Sequence, residues 1–180
     1  FYNGQVGQDG MDIRMLAVPF GRRAASIYFF MPLDSDDSVD AMISEMAENG
    51  IGKYFDRVND SYGDYSVFKL PRVRFKYDES VHDDFSAMGL RKPFDWNYGF
   101  DGIVSDKLII GDILHNTYFS MDEKGVEASA VTKVDFECLG EGEEFEPTVF
   151  RFDRPFVFAV RDDRTGTLLF IGKVEEPEFD

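Results

Sequence analysis

The chain has 180 residues, and a 43% hydrophobic content with 19 Phe is enough to build one domain around a hydrophobic core. Its formal net charge of −16, and the lack of an apolar run of transmembrane length, disfavour nucleic acids and membranes as partners. The single cysteine, Cys138, excludes an intrachain disulfide and a multi-cysteine metal site, and it leaves the cellular compartment open.

The spacing of apolar residues predicts strands interrupted by short helices. In chain order we predict strands over residues 13–20 and 25–32, helices over 39–48 and 51–58, a strand over 65–76, a helix over 79–88, a strand over 108–121, and strands over 149–152, 156–161 and 168–174. The polar run Asp34-Ser35-Asp36-Asp37-Ser38 can cap the first helix and Asp78 the third, and Pro71 interrupts the strand that contains it. This order predicts an α+β fold with largely antiparallel sheets and a few helices, folded as a single domain over residues 1–180.

A Cys–His nucleophile is one chemistry that the sequence allows. It would use Cys138 with His82 or His115, because a thiolate needs an imidazole within hydrogen-bonding distance. Acidic neighbours of Cys138 disfavour a thiolate, and we interpret His115 instead as a core histidine that hydrogen-bonds neighbouring elements. No Ser-His-Asp pattern, phosphate-binding Gly loop or paired-carboxylate hydrolase motif is present in the sequence. We therefore predict no enzymatic activity and no cofactor.

Two acidic stretches are candidate cation sites. The first has part of the spacing of an EF-hand calcium loop, with oxygen-bearing side chains at Asp34, Asp36, Ser38, Asp40 and Glu45. Val39 occupies the position where that loop requires Gly, and helix capping explains these residues more simply. The second, with Glu141, Glu143 and Glu144, has Gly neighbours and the composition of a solvated loop. We predict no metal site, and an acidic metal-binding domain stays the weakest of the functional hypotheses.

A run of small and weakly apolar residues follows a charged turn at Gly125-Val126-Glu127-Ala128-Ser129-Ala130-Val131-Thr132. It resembles the hinge of serpins, a family whose exposed reactive loop acts as bait for a protease; the alternative is a flexible linker rich in Ala and Ser. Further stretches that resemble the family flank it in order: Leu70-Pro71-Arg72 with Tyr77-Asp78, Ile113-Leu114-His115-Asn116, Met121-Asp122-Glu123-Lys124-Gly125, Phe152-Asp153-Arg154-Pro155-Phe156, Arg164-Thr165-Gly166 and Gly172-Lys173-Val174. The resemblance extends over roughly residues 11–177 and corresponds to the C-terminal half of a serpin.

The resemblance implies that the chain is a fragment, because the family's N-terminal helices and first central strands have no counterpart in it. A start at Phe1, with neither Met nor a charged leader, agrees with this expectation. The reactive loop would span about residues 123–150, and the resemblance favours an extracellular protein. In the fragment alone we expect the hinge to fold back on residues 108–121 or to be disordered, and an exposed sheet edge to favour self-association.

The resemblance also implies how the loop works. After cleavage the hinge would insert as a new strand beside residues 108–121, with alternate side chains facing opposite ways. The inward residues would be Val126, Ala128, Ala130 and Thr132, and the outward ones Glu127, Ser129, Val131 and Lys133. Glu123 would open the hinge and pair with Arg72, while His115 and Pro155 would support the surrounding structure.

The scissile bond has two placements in this loop. Counting forward from Glu123 with the family's common spacing gives Leu139-Gly140, whereas counting back from residues 153–156 gives Glu144-Phe145. We prefer Leu139, with Cys138 or Phe136 as alternatives, because an apolar side chain suits a chymotrypsin-like or elastase-like protease. The implied function is irreversible inhibition of serine, or else cysteine, proteases. The alternatives are a non-inhibitory serpin-fold binding module and an inactive truncated fragment.

Overall fold

The computed structural model describes residues 1–6, 10–61, 66–96, 100, 102–103, 107–121 and 148–179. By their contacts these residues fall into two compact units, Phe1–Val73 with Met121–Asp180, and Arg74–Ser120. A compact unit need not be a separately folding domain, so the single domain over residues 1–180 stays a prediction. Within these ranges, no helix combines the length and the apolar character needed to span a membrane.

Helices and strands follow one another in the order expected of an α+β chain, which confirms the predicted fold class. In chain order they are β1 (Tyr2–Gln5), β2 (Asp12–Phe20), β3 (Ala25–Pro32), α1 (Val39–Asn49), α2 (Gly52–Asn59), β4 (Ser66–Lys69), β5 (Val73–Ser80), α3 (His82–Ala87), β6 (Leu114–Met121), β7 (Thr148–Arg151), β8 (Phe156–Asp162) and β9 (Leu168–Val174). Short 3-10 turns lie at Gly21–Arg23 and Lys92–Phe94.

The first unit is built on a five-stranded antiparallel sheet with the strand order β1-β2-β3-β8-β9. Both predicted hairpins, β2 with β3 and β8 with β9, are confirmed. The turn between β8 and β9 is held by Asp162, whose Oδ1 accepts hydrogen bonds from Thr165 N at 2.7 Å and Thr165 Oγ1 at 2.9 Å. These donors, joined by Arg164 N, lower the pKa of Asp162 because they stabilise its charged form. Strand β1 was not predicted, because Asn and Gly occupy half of its length and weaken any strand pattern.

Helices α1 and α2 cover one face of this sheet, and a second aromatic cluster lies on the opposite side of β3. The rings of Tyr28 and Phe30 lie 4.6 Å and 5.8 Å from the ring of Phe55 on α2. Because side chains alternate along a strand, Phe29 points the other way, and its ring lies 5.6 Å from Phe152. The predicted first helix is confirmed, and its cap is Ser38, whose Oγ accepts from Asp40 N at 3.1 Å.

Three predicted elements differ from the structure. The strand predicted over residues 65–76 is two strands, β4 and β5, which belong to different sheets on either side of the buried Pro71. Strand β5 continues to Ser80, so Asp78 lies inside it instead of capping α3, which is correspondingly short. The strand predicted over residues 108–121 begins only at Leu114. The Asp112 carboxylate accepts from Ile113 N at 2.8 Å and from Ser80 Oγ, and such local bonds compete with strand pairing.

The second unit contains α3 and most of the two-stranded sheet formed by β5 and β6. Phe75 and Phe119 stack across these strands with ring centroids 5.5 Å apart, and Phe119 is buried. Further along, Val81 N donates to Ile113 O at 2.9 Å. The numbers of the contacting residues increase along β5 and decrease along β6, so the two strands run antiparallel.

A polar contact of Glu45 links the two helices of the first unit. Glu45 on α1 accepts a hydrogen bond from Tyr54 Oη on α2 at 3.1 Å, and its other oxygen accepts from Met11 N at 2.8 Å. Tyr54 is fully buried. Burial, followed by the Glu45 hydrogen bond and charge, raises the pKa of Tyr54 to about 12, because each of these factors disfavours the phenolate.

We therefore expect the unfolding free energy to depend on the ionisation of Tyr54 at alkaline pH. The folded-state pKa lies above that of the unfolded chain, so the contribution is complete below about pH 10 and falls as the pH rises toward 12. The loss should reach about 2–3 kcal/mol by pH 12. Denaturant unfolding at a series of pH values should show this loss, and Tyr54→Phe should lack it. Tyr118→Phe, which alters an exposed tyrosine, is the control; a Tyr54→Phe profile parallel to it and to the unmodified protein would contradict the assignment.

Candidate functional site

The predicted reactive loop connects β6 to β7. The structure describes the chain up to Met121 and again from Thr148, so the hinge and every candidate for the scissile bond lie outside the described residues. These are Glu123, Gly125, Val126, Glu127, Ala128, Ser129, Ala130, Val131 and Thr132 of the hinge, and Phe136, Cys138, Leu139, Gly140, Glu144 and Phe145 around the scissile bond. Their roles stay predictions, and the described geometry concerns the two flanks of the loop.

The flank that precedes the loop is β6, where the structure corrects the expected position of His115. That residue is exposed, not buried in a core. Its Nε2 lies 2.9 Å from Thr117 Oγ1 on the same strand, and its ring lies 5.7 Å from the ring of Tyr77 on β5. The family resemblance places the hydrogen-bond partners of His115 in the half of a serpin that has no counterpart in this chain, so its supporting role stays a prediction.

Arg72 lies between β4 and β5, where the chain passes from one sheet to another. Its side chain is exposed, and its predicted partner Glu123 lies beyond the described residues. The pair therefore stays a prediction. Pro155 is also exposed, and it directly precedes β8.

The flank that follows the loop is β7, which pairs in parallel with β4 over four residues on each strand. The pair places Phe68 beside Phe150, with ring centroids 5.4 Å apart, and the ring of Phe1 lies 4.7 Å from that of Phe150. Phe150 is buried. A parallel pair this short has few backbone hydrogen bonds, so these ring contacts contribute much of its stability.

Arg14 on β2 holds β7 by a second set of contacts. Its guanidinium lies 4.9 Å from the centre of the Phe150 ring, and its Nη1 donates to Arg151 O at 3.2 Å. Partial burial, followed by the nearby Arg154 charge, lowers the pKa of Arg14, while Asp153 opposes this shift. The guanidinium nevertheless stays protonated at neutral pH. Arg14 was not predicted as a site residue, although a cation within the apolar run of β2 could have drawn attention to it.

Arg154 fixes the turn between β7 and β8 to the end of β3. Its guanidinium donates to three consecutive backbone carbonyls: to Asp34 O at 2.7 Å, to Pro32 O at 2.8 Å and to Leu33 O at 3.1 Å. Charged donors to carbonyl groups make strong hydrogen bonds, and the planar guanidinium can reach three acceptors at once. The stretch that contains Arg154 was singled out for its resemblance, but only Pro155 was assigned a supporting role.

Of the other candidate sites, the EF-hand-like stretch and His82 lie within the described residues, whereas Glu141, Glu143 and Glu144 lie outside them. Glu45 accepts from Met11 N and Tyr54, and Ser38 caps α1. The Asp34 carboxylate accepts from Asp36 N, and the Asp40 carboxylate accepts from Lys173 Nζ. Four of the five EF-hand-like positions therefore make other contacts. The ring nitrogen Nδ1 of His82 lies 2.9 Å from Asp83, and its ring lies 4.2 Å from that of Phe94. Among the residues that the structure describes, no three His, Cys, Asp or Glu side chains are grouped so as to hold a metal ion.

Comparisons of the sequence with known proteins point to one family. The family model described as serpin (serine protease inhibitor) matches residues 2–177. An uncharacterized serpin-like protein of Methanosarcina acetivorans is 35% identical over 93% of this chain and 38% of its own length. Serpin-Z3 of Arabidopsis thaliana is 28% identical over 95% of this chain and 44% of its own length. The chain thus spans less than half the length of these curated relatives.

Two solved structures share the fold. Native protease nexin-1 with heparin superposes with a TM-score of 0.75 at 19% identity, over 96% of this chain and 44% of that one. Tengpin, a thermophilic serpin in its native state, gives a TM-score of 0.67 at 24% identity, over 96% of this chain and 43% of that one. At these identities the likeness concerns the fold alone, and it confirms the architecture expected from the resemblance.

The contacts of Arg154 predict a measurable contribution to stability. Arg154→Ala should lower the unfolding free energy by about 2–3 kcal/mol, because it leaves three carbonyls without their charged donor. Arg154→Lys should recover only part of the loss, since an ammonium cannot reproduce the planar fork. Arg164→Ala, which removes the same charge from an exposed turn, is the matched control, and denaturant unfolding is the measurement. Equal stabilities of Arg154→Ala and Arg164→Ala would contradict the proposed fixing of this turn.

Proposed function

Because this chain belongs to the serpin family, we propose that the protein containing it inhibits a serine protease and is consumed in doing so. It would act as an inhibitor, not as an enzyme, in keeping with the description of the family as serine protease inhibitors. The observation that carries the proposal is the run of small residues at positions 125–132, between β6 and β7 of this fold. The proposal concerns the longer protein, because the chain spans only 38–44% of the relatives reported above.

Insertion of the hinge as a strand beside β6 would supply the free energy that drives inhibition. If residues 126–133 form a strand, Ala128 and Ala130 face the interior and Ser129 faces away. Small inward side chains fit a sheet that is already formed, whereas a large or charged one would need a cavity. At about 1 kcal/mol net for each new backbone hydrogen bond, a strand of ten or so residues is favoured by roughly 10 kcal/mol before packing is counted.

Cleavage is what releases the hinge for insertion. Before the cut, the loop is tied to β6 at one end and to β7 at the other, so it cannot enter a sheet as a full strand. The contacts that support this step are those that hold β7, namely its pairing with β4, the cation–π contact of Arg14 and the three hydrogen bonds of Arg154. Once the bond is cut, the hinge side moves while β7 stays in place.

The trapped species would be the acyl-enzyme. In that intermediate the protease is esterified to the hinge side of the cut, so insertion drags the protease across the molecule. The movement distorts the oxyanion hole, whose hydrogen-bond donors stabilise the transition state for deacylation. Hydrolysis of the ester then stops, and each inhibitor molecule inactivates one protease molecule.

The target is set by the residue that precedes the scissile bond. We place this bond at Leu139-Gly140, with Cys138 and Phe136 as alternatives for the preceding residue. An apolar side chain suits a chymotrypsin-like or elastase-like pocket, whereas Glu144, the other placement, suits few proteases. Incubation of the longer protein with such proteases, followed by sequencing of the released peptide, would test the placement. Cleavage only outside residues 136–145 would reject it.

A non-inhibitory role is the second candidate, and the length comparison favours it for this chain by itself. We infer that this chain by itself holds too little of the receiving sheet to accept the hinge, because it spans less than half the length of its relatives. We expect the isolated chain to be cut as an ordinary substrate and to associate through sheet edges. Strand β9 is one such edge, with Leu169 and Ile171 exposed by 51% and 56%.

Two substitutions that each add a negative charge to the hinge test the inhibitory proposal in the longer protein. Ala130→Glu places a carboxylate on the inward face of the hinge, and Ser129→Glu places the same charge on the outward face. We expect Ala130→Glu to lower the yield of SDS-stable complex about tenfold or more, because a buried unpaired carboxylate costs several kcal/mol. Ser129→Glu should keep the yield within about twofold.

Gel analysis measures the ratio of SDS-stable complex to cut product for both variants and for the unmodified protein. Equal yields for the two variants would contradict strand insertion in the proposed register. Cleavage of the unmodified protein without any trapped complex would reject inhibition altogether.

A further inference from the structure

The end of helix α1 carries an Asn-Gly pair whose surroundings favour a chemical change. Asn49 and Gly50 are both exposed, and Gly50 has φ 81° and ψ 119° with no atom within 4 Å of the position where a Cβ would lie. Among the described residues, no acceptor is found for the N–H of Gly50. The corresponding groups at the ends of α2 and α3, Asp60 N and Met88 N, both donate hydrogen bonds.

We propose that Asn49 is a site of spontaneous deamidation, with water as the only co-reactant. The backbone nitrogen of Gly50 attacks Cγ of Asn49, forming a C–N bond that closes a five-membered imide. The bond from Cγ to Nδ2 breaks, and the amide group leaves as ammonia with the proton from the Gly50 nitrogen. Water then opens the imide at one of its two carbonyls, which gives aspartate or isoaspartate at position 49.

The local structure makes this attack easier at Asn49 than at the other Asn-Gly pair of the chain, Asn3-Gly4. The reaction requires the Asn backbone to leave its folded conformation, and the last residue of a helix does so at little cost. Asn3 instead lies in β1, where Asn3 pairs with Arg14 and Gly4 with Ile13. The side chain of Asn3 also accepts from Arg14 Nε at 3.4 Å. Both pairs have Gly as the second residue, so the sequence alone does not separate them.

Conversion of Asn49 would introduce a charge at a sensitive position. The Asn49 amide opposes the rise in the pKa of Tyr54, because an amide donor stabilises the phenolate, and the Tyr54 hydroxyl donates to Glu45. A carboxylate at position 49 would replace this amide donor and lie close to the Glu45 charge. It would also lie at the C-terminus of α1, where the helix dipole disfavours an anion and where the last turn has no basic residue. We therefore expect the product to be less stable than the original protein.

Ageing of the longer protein at mildly alkaline pH and physiological temperature tests the proposal, with peptide mass spectrometry as the measurement. Asn49 should convert about tenfold or more faster than Asn3, because β1 must unpair before Asn3 can react. Conversion at Asn3 that equals or exceeds that at Asn49 would overturn the proposal.

Three variants test the consequence for stability. Fresh Asn49→Asp should have a lower Tm than fresh Asn49→Ser, which also lacks the amide but adds no charge. On ageing, the Tm of the unmodified protein should fall toward that of Asn49→Asp, while Asn49→Gln should keep its Tm. Equal Tm values for Asn49→Asp and Asn49→Ser, or an equal loss on ageing in Asn49→Gln, would contradict the account. Protease inhibition plays no part in these measurements, so their outcome is independent of the proposed function.

Discussion

The fold depends on the pairing of β3 with β8. This pairing joins residues that precede the predicted reactive loop to residues that follow it, with Phe29 opposite Phe158 and Phe30 opposite Val157. All four of these side chains are buried, and each contributes about 1.5–3 kcal/mol to folding. A cut anywhere in residues 122–147 would therefore leave two pieces held together by the centre of one sheet. That property is a requirement for any mechanism in which a cleaved loop moves while the rest of the molecule stays folded.

The two flanks of the loop are held by different kinds of contact. Strand β7 pairs with only one short parallel strand, β4. Side chains attach it to the five-stranded sheet, chiefly Arg14, which contacts Phe150, and Arg154, which donates to the carbonyls at the end of β3. Strand β6 pairs with β5 in a two-stranded sheet, and half of its side chains are exposed. In the proposed mechanism β7 has to stay in place when the loop moves, whereas β6 has to accept a new neighbouring strand. The side-chain contacts that hold β7 and the exposed side chains of β6 suit these two roles.

Much of the fold could be predicted from the sequence, because its hairpins and its first two helices have strong local signals. Apolar runs on either side of Gly21-Arg22-Arg23 specify β2 and β3, and Ser38 with Gly50 specifies the ends of α1. The prediction was wrong where a short-range contact competes with a periodic pattern, as at Asp112, which delays the start of β6.

The candidate site was less predictable. Resemblance to a family identified the hinge, but it could not identify Arg14, because the contact of Arg14 with Phe150 joins residues far apart in sequence. His115 lies in an apolar run and was predicted to be buried. Its exposure depends on which elements cover β6, and the pattern along a single strand does not contain that information.

The central claim is that a cut loop becomes a strand beside β6, and hydrogen exchange of the longer protein tests it most directly. Backbone amides of β6 and of residues 126–132 would be compared before and after cleavage by a protease that cuts within residues 136–145. The account predicts that cleavage slows exchange in both segments together, because each gains backbone hydrogen bonds from the other. Unchanged exchange in β6, with residues 126–132 still exchanging as freely as in the uncut protein, would contradict it.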